Sequence, residues 1–434
     1  MEKKIKVSVL TLGCRVNQYE SDAIMQSFAK KGVTVCENDD ICDIYVINTC
    51  SVTAESDRKS RQFIRRCVSK NPDAVIVVTG CYSQINHDAV SAIEGVDFVC
   101  GNNGKSAIVE KSLELLKEKK TVFSYMPDIY DGHFDSMSVG KPMTRTRAFV
   151  KIEDGCESKC AYCIIPYARG SVRSESPEVI KKEVENIVFE GCREVVLTGI
   201  ETASYGKDLK NTSLSDLLCK INNTQGLKRI RLGSLDPAAV GKDFADKVSS
   251  LDKVMPHFHI SLQSGCTKTL NRMRRKYNIK TAEKNIEYLQ SKIPDLMLSA
   301  DIITGFPGES DDDFEETLDF FRRHRFLRVH IFPYSKRKGT PAAIMDNQID
   351  ESVKRARLHK LEALEKEVRT SLLKDFVSSH KEAEVLFESY DGEFALGHTP
   401  NFIEVKAKSN KPLDGEFITV KPIFSDSEYV YAGI

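Results

Sequence analysis

The stretch Gly155-Cys156-Glu157-Ser158-Lys159-Cys160-Ala161-Tyr162-Cys163 places three cysteines on one short segment. It follows an apolar run that predicts a β-strand over residues 149–152. Three thiolates at this spacing can bind three irons of a 4Fe–4S cluster and leave the fourth iron open to another ligand. The alternatives are incidental cysteines or a zinc site. A structural zinc site usually has four protein ligands, and no fourth Cys or His lies close by in the sequence. The segment therefore favours an iron–sulfur cluster.

The chain around this segment repeats a strand followed by a helix about six times, which indicates a parallel sheet with helices on its outside. We predict an α/β domain over residues 148–370 that forms an open or partial (β/α)6 barrel. In such barrels the chemistry lies at the carboxyl ends of the strands, where the three cysteines are found. The predicted strands cover residues 149–152, 195–198, 229–232, 259–262, 298–303 and 328–332.

The first 125 residues also alternate strands and helices and predict a separate parallel α/β sheet domain. The strands are predicted over residues 5–11, 44–48, 75–79 and 96–99, and the helices over residues 21–31, 55–70 and 105–119. Cys14, Cys50 and Cys81 each come just after one of these strands. Because parallel strands end at one edge of a sheet, the three thiols are expected to converge and hold a second cluster. The alternative is three buried cysteines that pack as small hydrophobes. Cys100 also ends a strand; it could be a fourth ligand of that cluster, but we expect it to be a bystander.

The remaining segments differ in composition from these two domains. Residues 126–147 are polar and are interpreted as a linker. A long charged helix is predicted over residues 350–377. Residues 371–434 are assigned to a small antiparallel β-barrel of about five strands, because alternating runs are separated by Asp391-Gly392 and Asp414-Gly415 turns.

Composition bounds the possible functions. A chain of 434 residues predicts two or three domains. Lys plus Arg and Asp plus Glu both number 63, so the net charge is zero and any nucleic-acid surface must be local. The longest apolar runs are strand-sized and no signal peptide is apparent, so we expect no membrane association and a cytoplasmic location. Thirteen cysteines in a reducing compartment favour metal or cluster ligands over disulfides.

Local basic stretches are the candidates for phosphate contact. Arg58, Arg61 and Arg65 recur along one face of a predicted helix. A second set lies near the end of the central domain and comprises Arg322, Arg323, Arg325, Arg328, Lys336, Arg337 and Lys338. A run of charges alone is usually a solvated face. Together with the C-terminal barrel, however, these sets suit a backbone-binding surface.

Four stretches together resemble the radical S-adenosylmethionine methylthiotransferase family over essentially the whole chain. They are Thr11-Leu-Gly-Cys14-Arg-Val-Asn-Gln-Tyr-Glu20, Asn48-Thr-Cys50-Ser-Val-Thr53, Thr79-Gly-Cys81 and residues 156–170, which include Cys163-Ile-Ile-Pro-Tyr-Ala-Arg-Gly. All six family cysteines have a match. The first stretch is most similar to the branch that acts on threonylcarbamoyladenosine at tRNA position 37. Other branches act on isopentenyladenosine in tRNA or on an aspartate of a ribosomal protein.

The resemblance implies two 4Fe–4S clusters and S-adenosylmethionine as cofactors. The cluster on Cys156, Cys160 and Cys163 would cleave S-adenosylmethionine reductively, and the cluster on Cys14, Cys50 and Cys81 would hold the sulfur. The product would carry CH3–S at C2 of the adenine, and S-adenosylmethionine would supply both the methyl group and the radical. The resemblance further implies a TRAM-type C-terminal barrel, tRNA as the substrate and a reductase such as flavodoxin or ferredoxin as the electron donor. We expect a monomer.

Polar residues and glycines at other barrel strand ends are candidates for holding S-adenosylmethionine. They are Tyr162, Gly199, Glu201, Ser261, Gln263 and Asp301. The alternative for each is ordinary loop chemistry. Two functional alternatives of other classes also stand: an RNA-binding protein whose iron–sulfur sites are structural or redox sensors, and a zinc protein.

Overall fold

A computed structural model describes residues 4–37, 40–118, 122–142 and 145–434. In the described residues, the N-terminal domain contains a six-stranded parallel sheet in the order β2-β1-β3-β4-β5-β6. This arrangement confirms the predicted α/β class. The elements are β1 Lys6–Thr11, α1 Arg15–Lys30, β2 Thr34–Val35, β3 Ile44–Thr49, α2 Ala54–Lys70, β4 Val75–Gly80, α3 Cys81–Ile85, α4 His87–Ser91, β5 Phe98–Cys100, α5 Ile108–Lys117 and β6 Phe123–Tyr125.

The first helix begins six residues earlier than predicted, directly after Cys14. Gly13 makes this tight start possible, because its φ of +102° is a backbone conformation that L side chains rarely adopt. The helix then buries Val16, Tyr19 and Ala23, an apolar spacing that suits one helix face. Cys14 therefore lies at a helix N-terminus and not in a loop. The predicted helix over residues 105–119 is helical from Ile108 to Lys117, and residue 119 lies outside the described residues.

The central domain is the predicted partial barrel. Two three-stranded parallel sheets, β7-β10-β11 and β12-β13-β14, are joined by isolated parallel bridges between Ile230 and Val254 and between Leu235 and Ile260. The series is open, with β7 and β14 as its two ends. The elements are β7 Ala148–Lys151, β8 Glu153–Asp154, α6 Ile165–Arg169, β9 Arg173–Ser174, α7 Pro177–Phe189, β10 Glu194–Thr198, α8 Leu214–Asn222, β11 Arg229–Leu232, α9 Lys242–Val248, β12 His257–Gln263, α10 Thr267–Arg272, α11 Ile279–Lys292, β13 Met297–Thr304, α12 Asp311–His324 and β14 Arg328–Pro333.

The C-terminal strands close into a five-stranded barrel in the order β15-β16-β17-β19-β18. The expectation of a purely antiparallel barrel is wrong at one pair, because β17 and β19 run parallel. A closed ring with an odd number of strands cannot alternate direction at every step, so at least one parallel pair is required. The elements are α13 Glu351–Ser379, β15 Ala383–Tyr390, β16 Phe394–His398, β17 Glu404–Lys408, β18 Phe417–Ser425 and β19 Val430–Gly433.

The three domains pack against one another through fixed contacts. The helix α13 continues across the predicted boundary between residues 370 and 371 and joins the central domain to the C-terminal barrel. Arg231 of β11 donates hydrogen bonds to the backbone oxygens of Thr399 and Pro400, both at 2.9 Å. In the predicted linker, residues 126–142 and 145–147 contain no helix or strand, and residues 143 and 144 lie outside the described residues. Within the described ranges, no helix has both the length and the apolar character needed to cross a membrane.

Candidate active site

The three barrel cysteines lie on the loop that follows β7 and β8, as the sequence predicts. Gly155 starts the loop with a φ of +89°, and a Cβ there would lie 1.8 Å from the Ser171 oxygen. The Cys156 thiol donates to Glu201 Oε2 at 3.5 Å, and Arg275 donates to Cys160 Sγ at 3.3 Å. Burial raises the pKa of Cys163 to about 12. The Cys163 thiol therefore keeps its proton at neutral pH until a metal displaces it.

A cavity of about 680 Å³ opens in front of this loop. Its walls include all three cysteines together with Tyr167, Arg274 and Lys276. Arg275, which contacts Cys160, is also hydrogen-bonded to Asp236 at 2.7 Å and is thereby held in place. The sequence reasoning missed Arg275 because it follows a helix far from the cysteine motif in the chain.

The N-terminal cysteines converge on one edge of the sheet. Cys14 starts α1, Cys50 follows β3 and Cys81 starts α3. A Cβ added to Gly13 would lie 2.9 Å from Cys50 Sγ, so the turn before Cys14 packs directly on Cys50. Burial, together with the neighbouring Cys81 and Cys14 thiols, raises the pKa of Cys50 to about 11. This proximity is what the strand-end placement predicts.

The donor sets of the two triads suit iron–sulfur clusters. Each triad offers three thiol sulfurs, the ligands that iron–sulfur clusters take from proteins, and one iron of a four-iron cluster would remain open. Among the described residues, the groups of three ligand atoms that lie within 4.8 Å of one another are His259 with Asp301 and His330, and Glu283 with Glu287 and His324. Neither group contains a cysteine.

Cys100 is separated from the N-terminal triad. Its thiol donates to the Gly104 oxygen at 3.3 Å, and its side chain belongs to a hydrophobic core cluster with Val77, Phe98 and Ile108. Burial raises its pKa to about 12. These contacts are those of a core thiol.

A buried ion network joins the two domains between the two cysteine sites. Arg169, fully buried, lies 2.7 Å from Glu20 of α1 and 3.0 Å from Asp154. Lys105 also contacts Glu20, and Lys151 lies 3.2 Å from Asp154. Although burial opposes ionisation, the charges of Arg169, Lys105 and Lys151 hold the pKa of Glu20 well below its ordinary value. The pair of carboxylates is thus outnumbered by three cations.

This surplus of positive charge faces the N-terminal cysteines. Arg169 Nε donates to Cys81 Sγ at 3.4 Å, and Asn102 Nδ2 donates to the same sulfur at 3.7 Å. Arg169 also donates to Asn17 Oδ1 at 2.6 Å, and Asn17 lies within contact of Cys14. A cation buried beside a thiolate stabilises the charged form. Arg169, a residue of the central domain, therefore supplies positive charge beside the N-terminal cysteines.

Two carboxyl groups lie beside the barrel cysteines. Glu201, a predicted cofactor residue, accepts hydrogen bonds from Ser158 Oγ at 3.1 Å and from the Cys156 thiol. Glu153, which sequence reasoning missed, is fully buried and accepts from the Glu201 backbone N–H at 2.9 Å. Burial raises the pKa of Glu153 well above its ordinary value, and its Oε1 has no partner within the described part of the chain. Gly199 must be glycine, because a Cβ would lie 2.4 Å from Glu153 Oε2.

The other predicted cofactor residues differ in their contacts and in their distance from the cysteine loop along the chain. Tyr162 packs edge-on against Phe306, with ring centroids 6.4 Å apart. The Ser261 carbonyl accepts from Arg275 at 3.1 Å, which ties it to the cysteine loop. Gln263 is buried with a φ of +66°. Asp301, in contrast, is paired with two histidines elsewhere in the barrel.

The histidine contacts of Asp301 belong to a second cavity. Asp301 lies 3.0 Å from His259 Nε2 and 3.6 Å from His330 Nδ1. Both histidines line a cavity of about 430 Å³ that also includes Arg15 and Phe402. This cavity lies between the start of α1, the strands β12 to β14 and the C-terminal barrel.

Most of the second basic set is engaged in ion pairs within the protein. The carboxylate partners lie on other helices or strands, or on the same helix. The pairs are Arg322 with Asp319, Arg323 with Glu283, Arg325 with Asp375, Arg328 with Glu404 and Arg337 with Asp57. Phosphate contact by this set stays a prediction, and it would require these arginines to exchange or share their carboxylate partners. Spacing along the chain could not reveal the partners of Arg323, Arg325, Arg328 and Arg337, which come from distant segments.

Comparisons with known proteins agree with this architecture. The model of the radical SAM superfamily matches residues 150–321, and that of an uncharacterized protein family, UPF0004, matches residues 6–101. Among solved structures, the radical S-adenosylmethionine methyltransferase TsrM from Kitasatospora setae covers 79% of this chain and 74% of its own, with a TM-score of 0.58 and 14% identity. At that identity the likeness shows the fold alone.

Curated relatives match nearly the full length. Threonylcarbamoyladenosine tRNA methylthiotransferase MtaB of Bacillus subtilis is 38% identical over 96% of this chain and 93% of its own. The MtaB of Aquifex aeolicus is 36% identical over 96% of this chain and 100% of its own. A tRNA-2-methylthio-N(6)-dimethylallyladenosine synthase of Natranaerobius thermophilus is 32% identical over 99% and 96%. The chain belongs to the radical S-adenosylmethionine methylthiotransferase family, in the branch of the MtaB relatives.

Proposed function

We propose that this protein transfers a methylthio group to C2 of N6-threonylcarbamoyladenosine in tRNA, with S-adenosylmethionine as methyl donor and radical source. The observation that carries the proposal is Arg169, which contacts Cys81 of one cysteine site and Asp154, two residues before Cys156 of the other. The MtaB relatives of two organisms, each matched over almost its entire length, support the choice of tRNA substrate.

When bound, an iron–sulfur cluster and S-adenosylmethionine supply one-electron cleavage of a sulfonium bond, the chemistry that an unactivated aromatic C–H requires. In this proposal Cys156, Cys160 and Cys163 hold that cluster. Cys14, Cys50 and Cys81 hold a second one that carries the sulfur.

The surrounding side chains then have defined tasks. Glu201, held by Ser158, is placed to bind the amino group of S-adenosylmethionine beside Cys156. Glu153 accepts a hydrogen bond from the Glu201 backbone N–H and so holds the Glu201 backbone in place. Arg169 balances the negative charge of the cysteines at the N-terminal site. A reductase such as flavodoxin or ferredoxin would supply the electron.

The test is an assay with reconstituted protein, S-adenosylmethionine, a reductant, sulfide and tRNA that carries threonylcarbamoyladenosine. Nucleoside mass spectrometry should detect the 2-methylthio product. The control substrate is tRNA that carries dimethylallyladenosine. This nucleoside appears in the names of the relatives that are 32–33% identical to the chain. Methylthiolation of the dimethylallyl substrate, with none of the threonylcarbamoyl substrate, would contradict the proposal.

A further inference from the structure

The second cavity of the barrel has an unusual distribution of charge. It measures about 430 Å³ and is lined by Arg15, His257, His259, His330 and Phe402, among others. Its carboxylates are each matched by a cation or histidine within the protein. The pairs are Glu404 with Arg328, Glu365 with Arg369 and Glu362 with His359. Two of the lining histidines, His259 and His330, are paired with Asp301.

Arg15 is the exception in this arrangement. Of the arginines that line the cavity, Arg328 and Arg369 have acidic partners at 2.7 and 3.1 Å. In the described part of the chain, the Arg15 guanidinium forms no hydrogen bond or ion pair, although the side chain is half-buried. The like charges of Arg147 and Arg231 crowd it, and the opposite charge of Asp301, which is already paired with His259 and His330, acts on it more weakly than either. A half-buried guanidinium without a partner is unfavourable unless a ligand completes it.

The neighbouring arginines cannot fill the same role. Arg231 is committed to Glu194 at 2.7 Å and to two backbone oxygens of the C-terminal barrel. Arg147 is committed to Glu388 at 2.8 Å. These contacts make Arg15 the cation of this group that is available to an anion entering the cavity. A guanidinium binds a carboxylate with two parallel hydrogen bonds, which gives both strength and orientation.

We propose that Arg15 binds the carboxylate of the threonyl group of the substrate nucleoside and thereby selects it over neutral N6 substituents. This inference rests on the proposed function. Arg15 directly follows Cys14 at the start of α1, so the cavity adjoins the N-terminal cysteine site. In adenine, C2 and the carbon that carries N6 flank the same ring nitrogen. A base whose C2 faces the Cys14 site therefore directs its N6 substituent along the same edge, toward Arg15.

A partner for Arg15 distinguishes the two N6 substituents by their charge. A threonylcarbamoyl group carries a carboxylate at neutral pH, whereas a dimethylallyl group carries no charge. A neutral substituent would leave Arg15 without a partner after the cavity is closed to water. The site therefore favours the acid through attraction and disfavours the neutral group through the desolvated guanidinium.

The experiment compares reconstituted wild type with Arg15→Gln on two anticodon stem-loop RNAs. One RNA carries threonylcarbamoyladenosine and the other carries its carboxyl methyl ester. Wild type should prefer the acid over the ester by about 10- to 100-fold in Kd, as expected for a charge-assisted pair. Arg15→Gln should reduce this preference to about threefold or less, because the acid loses its charged partner and the ester no longer desolvates an unpaired guanidinium.

Two further variants and a methylthiolation assay of the wild type distinguish failure of this inference from failure of the proposed function. Arg15→Lys retains the charge and should keep part of the preference. Arg328→Gln removes a cavity arginine that is already paired and should change both affinities by the same factor. Full preference for the acid in Arg15→Gln, with iron content equal to wild type, would overturn the inference. Wild type that methylthiolates neither the acid RNA nor full-length tRNA would instead overturn the proposed function.

Discussion

The two cysteine sites are built in different ways. Cys156, Cys160 and Cys163 come from one loop, and their nearest charged neighbours, Glu201 and Arg275, belong to the same barrel. Cys14, Cys50 and Cys81 come from three separate strand ends, and the cation nearest to Cys81 is contributed by the other domain. The first site is therefore set within one domain, whereas the second depends on how two domains pack.

The largest expected effect separates the chemistry of the two sites. Cys160→Ala should abolish both cleavage of S-adenosylmethionine and methylthiolation, because the barrel cluster loses a ligand. Cys50→Ala should abolish methylthiolation but leave cleavage of S-adenosylmethionine within about threefold of wild type, since the barrel loop is untouched. Production of 5′-deoxyadenosine and of methylthio nucleoside, measured in parallel, checks this. Equal loss of cleavage in both variants would show that the sites are not separable.

The next effect tests the dependence on domain packing. Arg169→Met leaves Glu20 and Asp154 without their shared cation, and breaking a buried network of this kind costs about 3–5 kcal/mol. We expect a lower unfolding temperature and selective loss of iron from the N-terminal site. Arg58→Ala, which removes an exposed ion pair with Glu55, is the control and should leave both unchanged. Iron lost equally from both sites would contradict the role assigned to Arg169.

A smaller effect sharpens the account of the barrel site. Glu201→Gln removes the carboxylate that contacts Cys156 and Ser158. We expect the KM for S-adenosylmethionine to rise about 10- to 100-fold, as for loss of a charge-assisted hydrogen bond. The iron content should stay at the wild-type value. Glu393→Gln, an exposed change in the C-terminal barrel, is the control. An unchanged KM in Glu201→Gln would remove this residue from the cofactor site.

The smallest effect concerns pH and the packing between domains. Burial raises the pKa of Glu183, which accepts hydrogen bonds from Tyr19 of the N-terminal domain and from Val139, to about 7. The folded state therefore holds this proton more tightly than the unfolded chain, and stability falls as pH rises from about 4.5 to about 7. Glu183→Gln has no such proton. Its unfolding temperature should exceed that of wild type by roughly 2–6 °C at pH 8 and match it near pH 5.

A matched variant checks the assignment of that titration. Glu185→Gln changes an exposed carboxylate on the same helix, where it pairs weakly with Lys181 at 3.6 Å. Its difference from wild type should be the same at both pH values. If Glu183→Gln also showed no dependence on pH, the ionisation of Glu183 would not be linked to folding.

Features that depend on chain order could be predicted from the sequence. Periodicity located the six strands of the partial barrel to within one or two residues, because strands such as Glu194–Thr198 and Met297–Thr304 are short, mostly apolar runs between helices. The position of Cys14, Cys50 and Cys81 after successive strands predicted their convergence. The start of α1 at Arg15 was missed, because a left-handed Gly13 turn allows a helix to begin with no polar cap.

Features that depend on tertiary contact could not be predicted in the same way. Arg169 lies within a recognised stretch, yet its contact with Cys81 and Glu20 exists only after the two domains pack. Arg15 could be named as part of a motif, but its lack of a partner is visible only when every neighbouring carboxylate has been assigned. The sequence carries no signal for Glu153, because its burial, its raised pKa and its contact with the Glu201 backbone N–H depend on its surroundings in the folded barrel.

The most direct test counts iron. Anaerobically reconstituted wild type should contain about eight irons, and two triple-alanine variants, one for each cysteine triad, should each retain about four. Loss of all iron from the Cys156, Cys160 and Cys163 variant, with about four irons in wild type, would contradict the account. The N-terminal cysteines would then be core thiols, and the protein would be an enzyme with a single cluster.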